Sequence, residues 1–363
     1  MRYLDEYRRP EPVRACIREI AEALGDRSAT LMEVCGTHTV AIFRSGLRNV
    51  FPDRLELLSG PGCPVCVTPN AYMDRAVAYC RRPDTIVATF GDMFRVPGSS
   101  SSLEKERACG ADVRTVYSAM DSLEIAAQNP GKKVVFLGVG FETTTPSVAA
   151  TVLAAVERDI KNYYLYCGHK LVPPALRALA RDKDIAVQGL ILPGHVSTVI
   201  GSEPYGFLCS EFRMPSVITG FEPLDIAQGV RLLVEQIAQG TARLEIQYKR
   251  SVRPEGNPKA RRVMDRVFKP CDCVWRGIGN IPGSGLEIAP EFAGLDARAN
   301  IEAEVEEERV DTGCICGEVL RGVKKPVDCP LFGSACTPVE PVGACMVSSE
   351  GTCAAYHKYG REG

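Results

Sequence analysis

The chain has 363 residues, 45% hydrophobic and 24% charged, with 43 Lys and Arg against 45 Asp and Glu for a net charge of −2. That length predicts two or three domains of an ordinary globular protein. No long basic block or aromatic-interleaved basic stripe occurs, which argues against nucleic acid as the main partner. No run of about eighteen apolar residues suggests a membrane span, and the start, MRYLDEYRRPEPVR, is charged rather than built like a signal peptide. A cytoplasmic protein is expected, and there thiols stay reduced unless they are catalytic or bind metal. The 16 cysteines are therefore the feature to explain.

One unit recurs along the chain: a short apolar or β-branched run, a turn of Gly, Pro and Thr, then a helical pattern. Residues 30–34 run into Cys35-Gly-Thr-His38, followed by a helix from Val40. Residues 55–58 run into Gly-Pro-Gly-Cys63-Pro-Val-Cys66, and residues 71–80 predict the next helix. Run 85–90 ends at Gly91-Asp92. Run 134–137 ends at Gly138-Val-Gly-Phe-Glu142-Thr143-Thr144, where Thr145-Pro146 opens a helix to about residue 159. Runs 163–166 and 189–192 reach Cys167-Gly-His169-Lys170 and Pro193-Gly-His195. Run 217–219 reaches Gly220-Phe-Glu222-Pro223 and a helix to about residue 238. Continuous apolar strands alternating with helices of roughly 10–15 residues predict parallel α/β sheets. Proline in the first turn of two of the helices fits, because its missing N–H costs nothing there. The strand–GFE–helix echo at Gly140 and Gly220 suggests two related lobes.

The expected architecture is two parallel-sheet α/β lobes, residues 28–130 and 131–243, plus a smaller C-terminal domain over 244–363, with which an N-terminal helix in 1–27 is grouped. About fifty loop-rich residues make little core, so the last domain is expected to lean on a cluster. The acidic run 302–308 reads as a solvated helix face. Ligands of open α/β sheets bind beyond the carboxyl ends of the strands, and every turn named above lies at such an end. Cys35, His38, Cys63, Cys66, Asp92, Glu142, Thr143, His169, His195 and Glu222 should therefore converge on one rim, although several can serve simply as helix caps.

The tail carries Cys314, Cys316, Cys329, Cys336, Cys345 and Cys353. Zinc sites usually show two close pairs, and here only Cys314 and Cys316 are close. The remaining spacing, with Pro and Gly between, suits loops around an iron–sulfur cluster, which needs four thiolates. A zinc site stays open as an alternative, since thiolates serve both metals. Cys63-Pro-Val-Cys66 reads as a redox dithiol at a helix mouth, with depressed thiol pKa values. Cys35 and His38 add a soft ligand and an imidazole on an adjacent turn. Cys271-Asp-Cys273 is a weaker metal pair and is set aside. Phosphate-loop, dinucleotide, G-x-S-x-G and H-E-x-x-H motifs are absent.

These motifs resemble one family: CGTH at 35–38, GPGCPVC at 60–66, GFETT at 140–144, PGHVS at 193–197, GFEPLD at 220–225 and the tail CICG…DCPLFG…CTP…PVGACMVSSEGTCAAY. They are similar to those of the hydrogenase maturation protein HypD family. The resemblance implies a scaffold that assembles the Fe(CN)2CO group of [NiFe]-hydrogenases with the small chaperone HypC and the cyanide donor HypE, with thiol redox activity rather than turnover of a substrate. It also implies two α/β domains around a cleft and a C-terminal [4Fe–4S] domain similar to that of ferredoxin–thioredoxin reductase. Carried over by position, Cys35 would hold a transient Fe(II) together with a HypC cysteine, and His38, Glu142 and Thr143 would line the site. Cys63 and Cys66 would be the cleft dithiol. Cys314, Cys329, Cys336 and Cys353 would hold the cluster, leaving Cys316 and Cys345 as a neighbouring redox pair. A cluster-dependent protein disulfide reductase fits the same thiols and is the alternative reading.

Overall fold

The computed structural model describes residues 5–308 and 313–360, and all seven apolar runs named above are strands. In chain order they are β1 (Ala29–Glu33), β2 (Leu55–Ser59), β3 (Thr85–Phe90), then the unexpected β4 (Val113–Val116), β5 (Lys133–Gly138), β6 (Tyr163–Cys167), β7 (Gly189–Pro193) and β8 (Ser216–Thr219). A short β9 (Leu244–Ile246) and a hairpin of β10 (Phe268–Trp275) and β11 (Gly279–Ile288) follow. Two parallel sheets result, ordered β2-β1-β7-β8-β9 and β4-β3-β5-β6. Their central strands are buried from end to end, as β7 and β8 are, because helices cover both faces of a parallel sheet.

The lobes do not follow the expected boundary. Strands β1 and β2 pair with β7 to β9, while β3 to β6 form an insertion between them, so a division at residue 130 would cut the second sheet. Nor does the N-terminal helix join the tail. Helix Pro10–Leu24 buries Val13, Cys16, Ile20 and Leu24, one stripe at helical spacing. That stripe packs on helix Pro223–Gln239 over the first sheet, where Ile226, Val230 and Leu233 share its core. Residues 244–301 also lack a core of their own. Val267, Phe268, Leu286 and Phe292 complete the second sheet's core, and Val252, Trp275 and Ile281 join the cluster between the sheets. Leu320, Ala344 and Cys345 of the tail enter that same cluster. The acidic run 302–308 is not a helix; Arg81 clamps Glu306 and Arg82 holds the Glu302 carbonyl against the second sheet.

The GFE echo has a structural meaning. Gly140 follows β5 and Gly220 follows β8, each beyond the carboxyl end of a strand in its own sheet. A Cβ at Gly140 would lie 1.8 Å from Thr144 Oγ1, and one at Gly220 2.3 Å from Asp225 Oδ2. Both glycines let the turn close onto the first residues of the next helix. Among the described residues no helix is long and apolar enough to cross a membrane.

Candidate functional site: a thiol-lined cleft

Each sheet has one place where strand order reverses. In the first it lies between β1 and β7, in the second between β3 and β5. The crevice beyond such a reversal is where α/β sheets bind ligands. The two crevices here face one another and form a single cleft of about 540 Å³. Cys35 and Thr37 reach it from the end of β1, His195 from β7, Asp92 from β3 and Thr143 from β5, with Cys63 on the wall.

The CGTH and GPGCPVC turns are locked together. Gly36 N–H donates to the Gly62 carbonyl at 3.0 Å, and a Cβ at Gly62 would sit 2.3 Å from the Cys35 backbone nitrogen. Gly62→Ala must therefore push the turns apart, at a cost of about 3 kcal/mol. Gly91→Ala, where nothing lies within 4 Å, is the neutral control, and urea midpoints of the two variants check the contrast. Cys35 is 7% exposed. Burial, with the Glu350 carboxylate nearby, pushes its thiol up to about 11, although the Thr37 and His38 N–H groups favour its thiolate.

The tail seats in this cleft. Ser348 and Glu350 line it, Thr37 Oγ1 donates to Glu350 Oε1 at 2.6 Å, and the Cys63 thiol donates to Ser348 Oγ at 3.3 Å. Ser348 Oγ in turn donates to Asp92 Oδ2 at 2.9 Å. Beneath that contact the sulfurs continue. Cys66 N–H donates to Cys63 Sγ at 3.3 Å, and the Cys66 thiol is within hydrogen-bonding reach of both Cys63 and Cys345. Cys345 also bonds Cys353, a contact that holds its thiol well below the ordinary range. Cys353 feels the charges of Cys314 and Cys336 as well. Cys314 bonds Cys316, which lies below the usual thiol range for that reason, with the Arg276 guanidinium adding to the effect.

Several expectations need correcting. The C-x-x-C is not at a helix mouth: its helix begins only at Asn70, and burial pushes the Cys66 thiol well above its ordinary value. His38 does not face the cleft. Its ring lies under the turn after β8, with Nε2–H donating to the Gly220 carbonyl at 2.9 Å and Phe221 stacked at 4.6 Å. Burial lowers its pKa to about 4, a neutral imidazole. Glu142 also turns inward, where Oε1 accepts the Val172 N–H at 2.9 Å and so caps helix Val172–Arg181. Of the two expected site residues in GFETT, Thr143 faces the cleft and Glu142 does not. His169 and Glu222 lie elsewhere, the former against the β10–β11 hairpin and the latter paired with Arg8. Ser348 and Glu350 carry no local signal in the sequence, because they lie 285 residues beyond Cys63 and 313 beyond Thr37, the residues they contact.

Burial pushes the Glu142 carboxyl from 4.5 up to about 7. A carboxyl that binds its proton more tightly when folded stabilises fully below its unfolded pKa, and that contribution is lost as pH rises through the folded value. Glu142→Gln keeps the oxygen that accepts from Val172. It should flatten the stability profile between pH 4.5 and 7 and gain about 3 kcal/mol over the parent at pH 8, by urea unfolding at both ends.

An iron–sulfur cluster needs four thiolates brought to one place. Among the described residues no three His, Cys, Asp or Glu side chains stand arranged to hold a metal ion. Thiols nevertheless gather around Cys353, on which Cys345, Cys314 and Cys336 all act. Cys329 and Cys336 bracket one tight loop closed by Phe332 N–H to the Cys329 carbonyl and Cys336 N–H to the Leu331 carbonyl. Thiolates in this density suit a soft metal centre.

Two α/β lobes sharing a cleft of buried thiols, with a cysteine-rich tail plugged into it, define a two-lobed thiol protein. The sequence model of the HypD family, described as the hydrogenase formation hypA family, matches residues 11–360. The hydrogenase maturation factor HypD of Escherichia coli K12 is 45% identical over 368 residues, 99% of this chain and 98% of that one. That of Rhizobium leguminosarum bv. viciae is 45% identical over 371 residues, 99% and 96% of the two chains. The hydrogenase expression/formation protein HupD of Azotobacter chroococcum mcd 1 is 45% identical over 370 residues, 100% and 98%. The chain belongs to the HypD family of hydrogenase maturation factors.

Proposed function

We propose that this chain is the scaffold on which the Fe(CN)2CO group of [NiFe]-hydrogenases is built in the cytoplasm, with the chaperone HypC and the cyanide donor HypE as partners. The observation that carries the reading is the position of Cys35, which opens on the cleft beside a thiol series running from Cys63 through Cys66 and Cys345 to Cys353. The cargo iron is bound by Cys35 and by a cysteine of HypC. On binding, the buried Cys35 thiol gives up its proton, and the Thr37 and His38 amides already directed at its sulfur stabilise the thiolate. Iron that takes strong-field cyanide and carbonyl ligands is electron-rich, which thiolate ligation favours.

Moving cyanide from a sulfur carrier to iron breaks an S–C bond and takes two electrons. The Cys63/Cys66 dithiol holds that pair, releasing two protons as its disulfide forms, and Asp92 with Ser348 gives the Cys63 proton an exit. Cys316 and Cys345 return the cleft disulfide to dithiol by thiol–disulfide exchange. A [4Fe–4S] cluster held by Cys314, Cys329, Cys336 and Cys353 would supply single electrons to that exchange. Thr143 and His195 line the space the partner's carrier must enter.

Anaerobic purification tests the cluster: iron and acid-labile sulfide should appear in equal amounts, whereas zinc without sulfide contradicts it. Expression in a strain lacking its own HypD tests the scaffold, where restored [NiFe]-hydrogenase activity is expected. Continued absence of activity, with the chain folded and its partners present, overturns it.

A further inference from the structure

A second group of thiols stands apart from the cleft. Cys271 and Cys273 lie on β10, two residues apart and so on one face of the strand, with a bulge in the β10–β11 register between them. Across the hairpin is Gly285. A Cβ there would lie 2.5 Å from Cys273 Cβ, 3.1 Å from Cys273 Sγ and 3.2 Å from Cys271 Sγ. The missing side chain is thus the space both sulfurs occupy, and both are free thiols.

Lys170 completes the group. It is 2% exposed, and its Nζ donates to Cys273 Sγ and to the Val274 carbonyl, each at 2.9 Å. Burial lowers its pKa, and the groups that oppose that effect are the thiols beside it, Cys273 first and then Cys271 and Cys167. No carboxylate bridges it among the described residues, and its contacts to Cys273 Sγ and the Val274 carbonyl place Nζ to take the Cys273 proton when that thiol ionises. The thiolate so formed is the nucleophile. Both cysteines open onto a cavity of about 690 Å³, whose wall also presents Arg75, Arg298, Glu287 and Asp296. Walls of both signs suit a small zwitterionic ligand.

We propose that Cys271 and Cys273 form a second redox dithiol that exchanges with small amino-acid-based disulfides, Cys273 attacking and Cys271 resolving. The Cys273 thiolate forms a bond to one sulfur of the disulfide and releases the other half. The Cys271 thiol then attacks Cys273, closes the intramolecular disulfide and releases the second half. The protein loses two electrons and the small disulfide gains them. One proton comes from Cys271 and one from Lys170, which no longer faces a thiolate, and together they complete two small thiols.

The test uses the full chain, reduced anaerobically and challenged with glutathione disulfide, then digested with trypsin. Residues 267–276 emerge as one peptide, since the Lys269–Pro270 bond resists cleavage. The parent should yield that peptide with Cys271 and Cys273 joined. Cys271→Ser should yield it with one glutathione on Cys273. Lys170→Met should slow that adduct about tenfold, and Lys170→Arg should restore it. The proposal is overturned if Cys271→Ser acquires no adduct while exposed Cys109 does, or if Lys170→Met reacts as fast as the parent. Should Lys170→Met fail to fold, the ratio of Cys273 to Cys109 modification in Cys271→Ser decides: above one supports the pair, below one overturns it.

Discussion

Replacing Cys35 with serine should abolish assembly of the diatomic-ligated iron and leave the fold intact. Serine keeps the shape of the side chain, and the site is a strand end already tied by the Gly36–Gly62 and Thr39–Cys35 backbone bonds. Stability should therefore change by less than about 1 kcal/mol. The ligand changes completely, because a hard alkoxide does not replace a soft thiolate on low-spin iron. Infrared spectra of the anaerobic complex with HypC and HypE check this. Cyanide and carbonyl stretches should be present in the parent and missing in the variant, with tail iron content unchanged. Bands that persist in the variant would put the cargo iron elsewhere.

Cys345→Ser should separate the two ends of the sulfur series. Cys345 is 1% exposed and lies against Cys66 on one side and Cys353 on the other. A hydroxyl there cannot form a mixed disulfide, so reduction of an oxidised Cys63/Cys66 pair by electrons entering at the tail should slow by about a hundredfold. Timed alkylation and peptide mapping of Cys63 and Cys66 after reduction gives the rate. Cys316→Ser, whose thiol bonds Cys314 rather than a cleft cysteine, should slow the same step less. Equal rates in Cys345→Ser and the parent would mean that electrons reach the cleft by another path.

Much of this site can be read in the sequence, because its residues sit at strand ends and strand ends carry the Gly, Pro and Thr turns. Cys35, Cys63, Asp92, Thr143 and His195 meet for that reason. What local pattern does not encode is which strand pairs with which. An apolar run such as 55–58 looks the same whether its sheet continues with β3 or with β7, so the insertion of β3 to β6 was hidden. Side-chain direction at a turn was equally hidden. His38 and Glu142 stand beside cleft residues in sequence, yet each points inward to cap a carbonyl or an N–H. The hairpin β10–β11 lacks continuous apolar residues because its outer face is exposed, and the acidic run 302–308 is fastened by arginines distant in sequence.

Mild anaerobic oxidation of the whole protein, followed by rapid acid quenching and peptide mapping, tests most directly whether cleft and tail sulfurs are neighbours. A covalent Cys66–Cys345 link should be recovered, spanning 279 residues. If Cys66 is found joined only to Cys63 and Cys345 only to other tail cysteines at every degree of oxidation, the two groups of thiols do not communicate.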